Sequence, residues 1–574
     1  QAAQPPVPPW RTAPNLPAAL LESWNALSFG QSAPMWIWPA LVLMLMLYAL
    51  GLRVLIVRQG LDVAVSLAVA TLGPLFLILV VSHVKPLYNF RDVFTYSPAF
   101  YVVLAPGLAA LGRRSRPAAL VTAALLLVVA GISLRAFWSD PAFRADDHRD
   151  AVHELQAHWR PGDVVLVNAG WAYTALATYW DGEIAGRYRI TGALPEPRSD
   201  PSLVMVTTGH TDGAPGLGWG DLRSDFFAMP SQVAKEQVAD LFDRFRRVWH
   251  YRVYDTVNDP DGLIRALLPR HGQILDERTY PGEAYLRVES YAPREGATWN
   301  DSAPGAAFGD LQLRAETAAP TATPGETLYP TISWRPVAAI STTIGTSLRL
   351  VGAGGETWTR APDERPLGPL FTSRQWPANI VQRQPLALTV PEGTIPGDYR
   401  LVLVVYDADT GRPLDSVPLN GATAANPGLV LGRVTIAKPT ETPEPRPALA
   451  EFGPLALVEA TTPVTTISPG GNVPVELLWQ ARGALDEPLV IVVQALDDQG
   501  KVVANLEEQP LAGRYPTQSW QPGELVRDRH SLALPVDIAP GRYRVIAGVY
   551  RASDRQRLKT GNQDSYQIKE INVQ

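Results

Sequence analysis

The chain has 574 residues, 50 Lys and Arg against 56 Asp and Glu, and a formal net charge of −6. It contains no cysteine, which excludes thiol catalysis, structural disulfides and cysteine-ligated zinc. No Lys/Arg-dense stretch alternates with aromatic residues, so no nucleic-acid partner is expected.

The opening QAAQPPVPPW has the pattern of neither a signal peptide nor a transit peptide, and it leads to the expectation of a C-terminal part of a longer polytopic protein. Residues 16–29 place Leu16, Leu20, Leu21, Trp24, Leu27 and Phe29 largely on one helical face. A helix lying in the membrane interface and a helix packed on parts of the protein outside this sequence both fit that pattern.

Four apolar segments follow, at 35–57, 61–82, 93–111 and 118–137. Each is long enough to cross a bilayer core, which takes about 20 residues. The loop expected between the first two spans carries Arg53 and Arg58, and that between the third and fourth carries Arg113, Arg114 and Arg116. Short Arg-rich loops stay cytoplasmic, so the chain start and everything after Arg135 are expected outside the cell membrane. The expected fold class is therefore multidomain. An α-helical transmembrane bundle (1–139) precedes an extracytoplasmic α/β domain (140–292) and two tandem β-sandwiches.

Within 140–292 the pattern predicts a helix over 149–159, a strand over 164–168, a helix over 172–180 and a strand over 203–207. A helix over 232–245, a strand over 248–253 and a helix over 262–268 follow. Strands alternating with helices imply a parallel or mixed sheet covered by helices. Asp146, Asp147, His148 and Asp150 could suggest a metal, but acids at a helix start are ordinary capping and dipole partners, and no metal or cofactor is expected.

From about 305 the texture becomes short alternating runs broken by Gly and Pro, part of a chain-wide load of 53 prolines. Trp334, Trp376, Pro396-Gly397, Tyr399 and Tyr406 recur as Trp479, Trp520, Pro540-Gly541, Tyr543 and Tyr550, offset by 144 or 145. This duplication predicts Ig-like β-sandwiches over 305–437 and 451–574, joined by a Pro/Thr spacer over 438–450. The Tyr of each Pro-Gly-x-Tyr-Arg element is placed as a tyrosine corner would be. Trp376 and Trp520 are candidate glycan-stacking platforms, against the commoner use of Trp as core filler.

Three pieces of the first half carry a family resemblance. They are Pro8 to Gly30, then Lys85-Pro86-Leu87-Tyr88-Asn89-Phe90-Arg91 followed by Pro98, and Ser139 to Arg149 leading to Arg160-Pro161-Gly162-Asp163. On these, residues 1–292 resemble the C-terminal half of glycosyltransferase family 39, GT-C-type membrane enzymes related to protein O-mannosyltransferases and the lipid A aminoarabinose transferase. Two positions depart from the family's usual pattern: Asp92 follows the signature Arg91, and His148 stands where an aromatic is common.

The resemblance implies transfer of a sugar from a polyprenyl-phosphate donor to an extracytoplasmic glycan or protein acceptor. It also implies that the catalytic acid lies in an external loop upstream of Gln1, so no catalytic residue is assigned here and the chain alone is expected to be inactive. His83, Lys85 and Arg91 cluster at the external mouth between the second and third spans. Arg offers bidentate contacts to phosphate oxygens and Lys a point charge, so these three are the candidate lipid-phosphate residues. Anchoring of helix ends at the headgroups explains the same residues equally simply. Tyr88 and Tyr96 are expected to form an interfacial belt. The alternative is a non-catalytic, membrane-anchored surface protein whose sandwiches bind glycan or a protein partner.

Overall fold

A computed structural model of the chain describes residues 15–574, apart from 85–87, 141–142, 169, 212–224, 226, 256–258, 260, 283–285, 295, 317–319, 426 and 441–442. It divides into two compact units, 1–294 and 295–574.

The first unit opens with α1 (Leu16–Phe29), then α2 (Ala40–Gln59), α3 (Leu61–Ser82), α4 (Ser97–Arg114) and α5 (Arg116–Ser139). Ala40–Gln59, Leu61–Ser82, Val93–Arg114 and Arg116–Ser139 are each long and apolar enough to cross a membrane, matching the four expected spans. Helices α2 and α4 cross closely: a Cβ on Gly51 would meet the Val103 carbonyl oxygen at 1.9 Å, and one on Gly107 the Leu47 carbonyl oxygen at 2.2 Å. Such contact between small residues replaces the hydrophobic drive that lipid removes.

Helix α1 packs on the ends of all four spans. Trp24 Nε1 donates to the Leu41 carbonyl, Tyr101 Oη to that of Leu27, and Ser133 Oγ to that of Phe29. Tyr88 Oη donates to the Ala19 carbonyl at 2.9 Å. Its buried face is Ala19, Ser23 and Ala26 to Phe29, whereas Leu16, Leu20 and Leu21 are exposed. The start of α2, the end of α3, the start of α4 and the end of α5 therefore share one end of the bundle.

The α/β part carries α6 (His148–His158), β1 (Asp163–Val167), α7 (Tyr173–Tyr179), β2 (Ile184–Arg189), β3 (Leu203–Thr207) and a short pair, β4 (His210–Thr211) with β5 (Ala228–Met229). Then come α8 (Ser231–Arg244), β6 (Arg247–Arg252), α9 (Leu263–His271), β7 (Gly272–Thr279) and β8 (Arg287–Pro293). The sheet order is β2-β3-β1-β6-β8-β7, with the first four strands parallel and the last two antiparallel. Strand β1 is buried throughout and sits centrally, as its unbroken apolar run predicts. Val165, Val167, Trp249 and Tyr251 face α6 and α7, while Val164, Leu166 and Val248 face α8 and α9.

The second unit holds the duplicated β part. In the first copy, the strands Leu311–Ala315, Thr331–Pro336 and Gln382–Pro385 form one sheet, and Ile344–Val351, Gly397–Asp407 and Gly428–Ile436 form the other. The second copy repeats this with Leu455–Thr461, Asn472–Ala481 and Leu525–Ala533 facing Leu489–Leu496, Gly541–Arg551 and Tyr566–Val573. Both tyrosine corners form: Tyr399 Oη donates to the Ile395 carbonyl at 2.8 Å, and Tyr543 Oη to that of Ala539 at 2.7 Å.

The segment between the copies is no free spacer. Lys438 Nζ donates to the Ser519 carbonyl, and Arg446 makes a bidentate pair with Glu392 at 2.7 and 2.6 Å. Arg527 and Arg529 of the second copy donate to the Glu392, Thr357 and Trp358 carbonyls of the first.

Candidate functional site

An apolar groove of about 540 Å³ runs between α1 and α3, lined by Leu16, Leu20, Leu72, Leu75, Phe76, Leu79, Val80 and His83. Leu16, Leu20 and Phe76 leave their faces open to it, since the first turns of α1 bury Ala19 and Ser23 against the bundle and turn Leu16, Leu20 and Leu21 outward. The groove ends at His83, one residue past α3, where the ring Nδ1 lies 2.9 Å from the Leu79 carbonyl oxygen. Beyond it the chain passes to a 3-10 turn, Phe90–Tyr96, whose backbone includes Arg91. Lys85 lies outside the described residues.

Hydroxyls hold the turn that follows α3. Ser82 Oγ donates to the Ile78 carbonyl at 2.6 Å and accepts from the Tyr88 amide at 2.8 Å. Tyr88 Oη also lies 2.9 Å from Ser23 Oγ. Tyr88 therefore holds the α3–α4 connection onto α1. Chemically, the arrangement offers an apolar groove that ends beside an imidazole.

The two sandwich tryptophans are corrected by burial. Trp376 and Trp520 are only 3% and 4% exposed, and their indole N–H groups donate to the Phe371 and Tyr515 carbonyls. Both faces are taken by core packing, so neither ring presents a stacking platform. The repeat signal identified residues that the fold needs, and a ring that fills a small core cannot also face a ligand.

In the α/β part, Asp147 caps α6 by accepting the Asp150 amide, and His148 Nδ1 lies 2.5 Å from Tyr251 Oη. Burial pulls the His148 pKa below its ordinary value, partly opposed by Asp146 and Asp147. A buried network missed by pattern reading links His250, Glu289, Tyr291 and Arg252. Burial alone would raise Glu289, but the hydrogen bond and charge of His250, with Tyr291 and Arg252, hold it at about 2. Asp259 accepts the amides of Leu263 and Ile264 and so caps α9. Among the described residues no group of three or more His, Asp or Glu is arranged to hold a metal ion.

No family model matches the chain, and no curated protein matches it. Among solved structures, the C-terminal domain of wzt is 14% identical with a TM-score of 0.16, over 22% of this chain and 75% of that one. The Pseudomonas fluorescens alkylpurine DNA glycosylase AlkC bound to DNA containing an abasic site analog is 12% identical with a TM-score of 0.15, over 21% of this chain and 30% of that one. Likenesses this slight carry no argument about fold or function.

Proposed function

We propose that this chain is the C-terminal part of an integral membrane glycosyltransferase of the GT-C type, moving a sugar from a polyprenyl-phosphate donor to an extracytoplasmic acceptor. The observation that carries the reading is the groove between α1 and α3 with His83 at its mouth. Its apolar lining suits a prenyl chain, and its mouth adjoins the connection that bears Lys85 and Arg91. The groove mouth shares the bundle end that α1 covers, opposite Arg58, Arg113, Arg114 and Arg116, as a donor site on the outer side of the plasma membrane requires.

In this reading Arg91, Lys85 and His83 stabilise the leaving phosphate electrostatically, and the acceptor's activating base comes from outside the chain. The α/β part and both sandwiches act as an accessory extracytoplasmic region.

The test uses the full-length membrane enzyme. Arg91→Ala is expected to cut sugar transfer from a polyprenyl-phosphate donor at least tenfold while membrane insertion stays normal. Unchanged turnover would remove the phosphate role.

A further inference from the structure

Strands β1 and β6 are neighbouring parallel strands, and open α/β sheets bind ligands at the carboxyl ends of such strands. The two strand ends are tied together: Asn168 Oδ1, after β1, accepts the Val253 amide, after β6, at 2.8 Å. From these loops Trp171 and Tyr254 bring their rings to 5.5 Å between centroids, tilted at 47°. Tyr254 holds φ of +50°, a left-handed conformation that a bulky residue adopts only under constraint. Its ring is only partly exposed, packing against the same core cluster as Trp171 and Tyr173 while leaving part of its surface open.

Two residues past Trp171, Tyr173 carries the Arg187 guanidinium over its ring at 3.8 Å. Arg187 in turn pairs with Asp225 at 2.6 Å, each side chain about one-third exposed at 33% and 32%. Gly170 permits this assembly, because a Cβ there would meet the Asp225 carbonyl oxygen at 1.8 Å. Three partly open aromatic rings and one neutralised ion pair thus gather at one strand-end edge. Ring faces suit the C–H faces of a pyranose, and the pair supplies donors and acceptors for its hydroxyls. The pair's cancelled charge argues against a phosphate ligand.

We propose that Trp171, Tyr254, Tyr173, Arg187 and Asp225 form a binding site for a neutral hexopyranose unit of a glycan. This site is separate from the groove between α1 and α3, and its occupancy requires no transfer chemistry, so it stands or falls independently of the transferase reading.

The test uses the full chain in a sugar-free detergent, with mannotriose, maltotriose and galactobiose as probes and adenosine and inorganic phosphate as controls. Saturation-transfer NMR and calorimetry are expected to show at least one oligosaccharide binding through its ring C–H groups. Trp171→Ala should weaken that binding tenfold or more. Tyr254→Gly, which suits the left-handed backbone, should weaken it similarly, with the chain still folded by circular dichroism. Failure of all three sugars to bind, unchanged affinity in both variants, or tighter binding of adenosine or phosphate would overturn the proposal.

Discussion

Beside the buried Trp334 of the first sandwich stands Gln384, whose side-chain oxygen accepts the indole N–H and whose amide donates to Thr346 Oγ1 on the facing sheet. At the matching place in the second sandwich, 144 residues on, stands Asp528, and two residues further His530 replaces a buried Leu386. Asp528 accepts from the Leu511 amide and pairs with His530 at 2.7 Å, while His530 Nδ1 lies 2.8 Å from Glu508 on the facing sheet. Trp479 Nε1 is left buried without a hydrogen-bond partner among the described residues. One scaffold thus joins its sheets through a neutral amide in one copy and through a buried charged triad in the other. A duplicated fold constrains the shape of its centre more tightly than its chemistry.

Burial alone would lower the His530 pKa, but its hydrogen bonds to Asp528 and Glu508, with their charges, hold it up at about 9. The two copies also differ at the corner before their last long strands. In the first, Glu392 pairs with Arg446, whereas the matching Val536 of the second is exposed.

The comparison can be broken or sharpened by experiment, with stability read for each sandwich by hydrogen exchange in the full chain. The largest effect tests what the copies share. Trp376→Ala and Trp520→Ala should each cost about 3–5 kcal/mol, because both rings are core. A loss below about 1 kcal/mol in either would contradict that use.

Next is what they do not share. A histidine raised to about 9 from about 6.5 contributes stability that is complete below pH 6.5 and lost as pH rises through 9. The second sandwich should therefore weaken by about 3 kcal/mol across that window, at 1.36 kcal/mol per unit, while the first barely changes. Equal pH responses would remove the triad's role. The double change Asp528→Gln with His530→Leu, which copies the first sandwich's residues, should abolish the difference. The smallest effect falls on the corners. Tyr399→Phe and Tyr543→Phe should cost about 1 kcal/mol each and by similar amounts, and a threefold disparity would show that the corners are not equivalent.

Much of the architecture was legible because it is written in local, repeated signals. Span length and apolarity gave four crossing helices, and the strand β1 announced itself by an unbroken run from Val164 to Val167. The strands β2, β7 and β8 escaped, because Gly186 interrupts one and charges such as Asp276, Glu277 and Arg278 disguise another as loop. The residues chosen as stacking platforms were instead core, since a conserved spacing between copies reports what folding requires.

By itself the sequence determined the number of spans, the duplication and the turn chemistry of the tyrosine corners, all of which depend on neighbours within one element or one repeat. Only the tertiary structure decided which face of α1 is buried, where the groove to His83 runs, and that Trp171 meets Tyr254. It also decided that His530 lies between two carboxylates. Those facts depend on groups distant in the chain meeting in space, and no local periodicity encodes which partners burial will bring together.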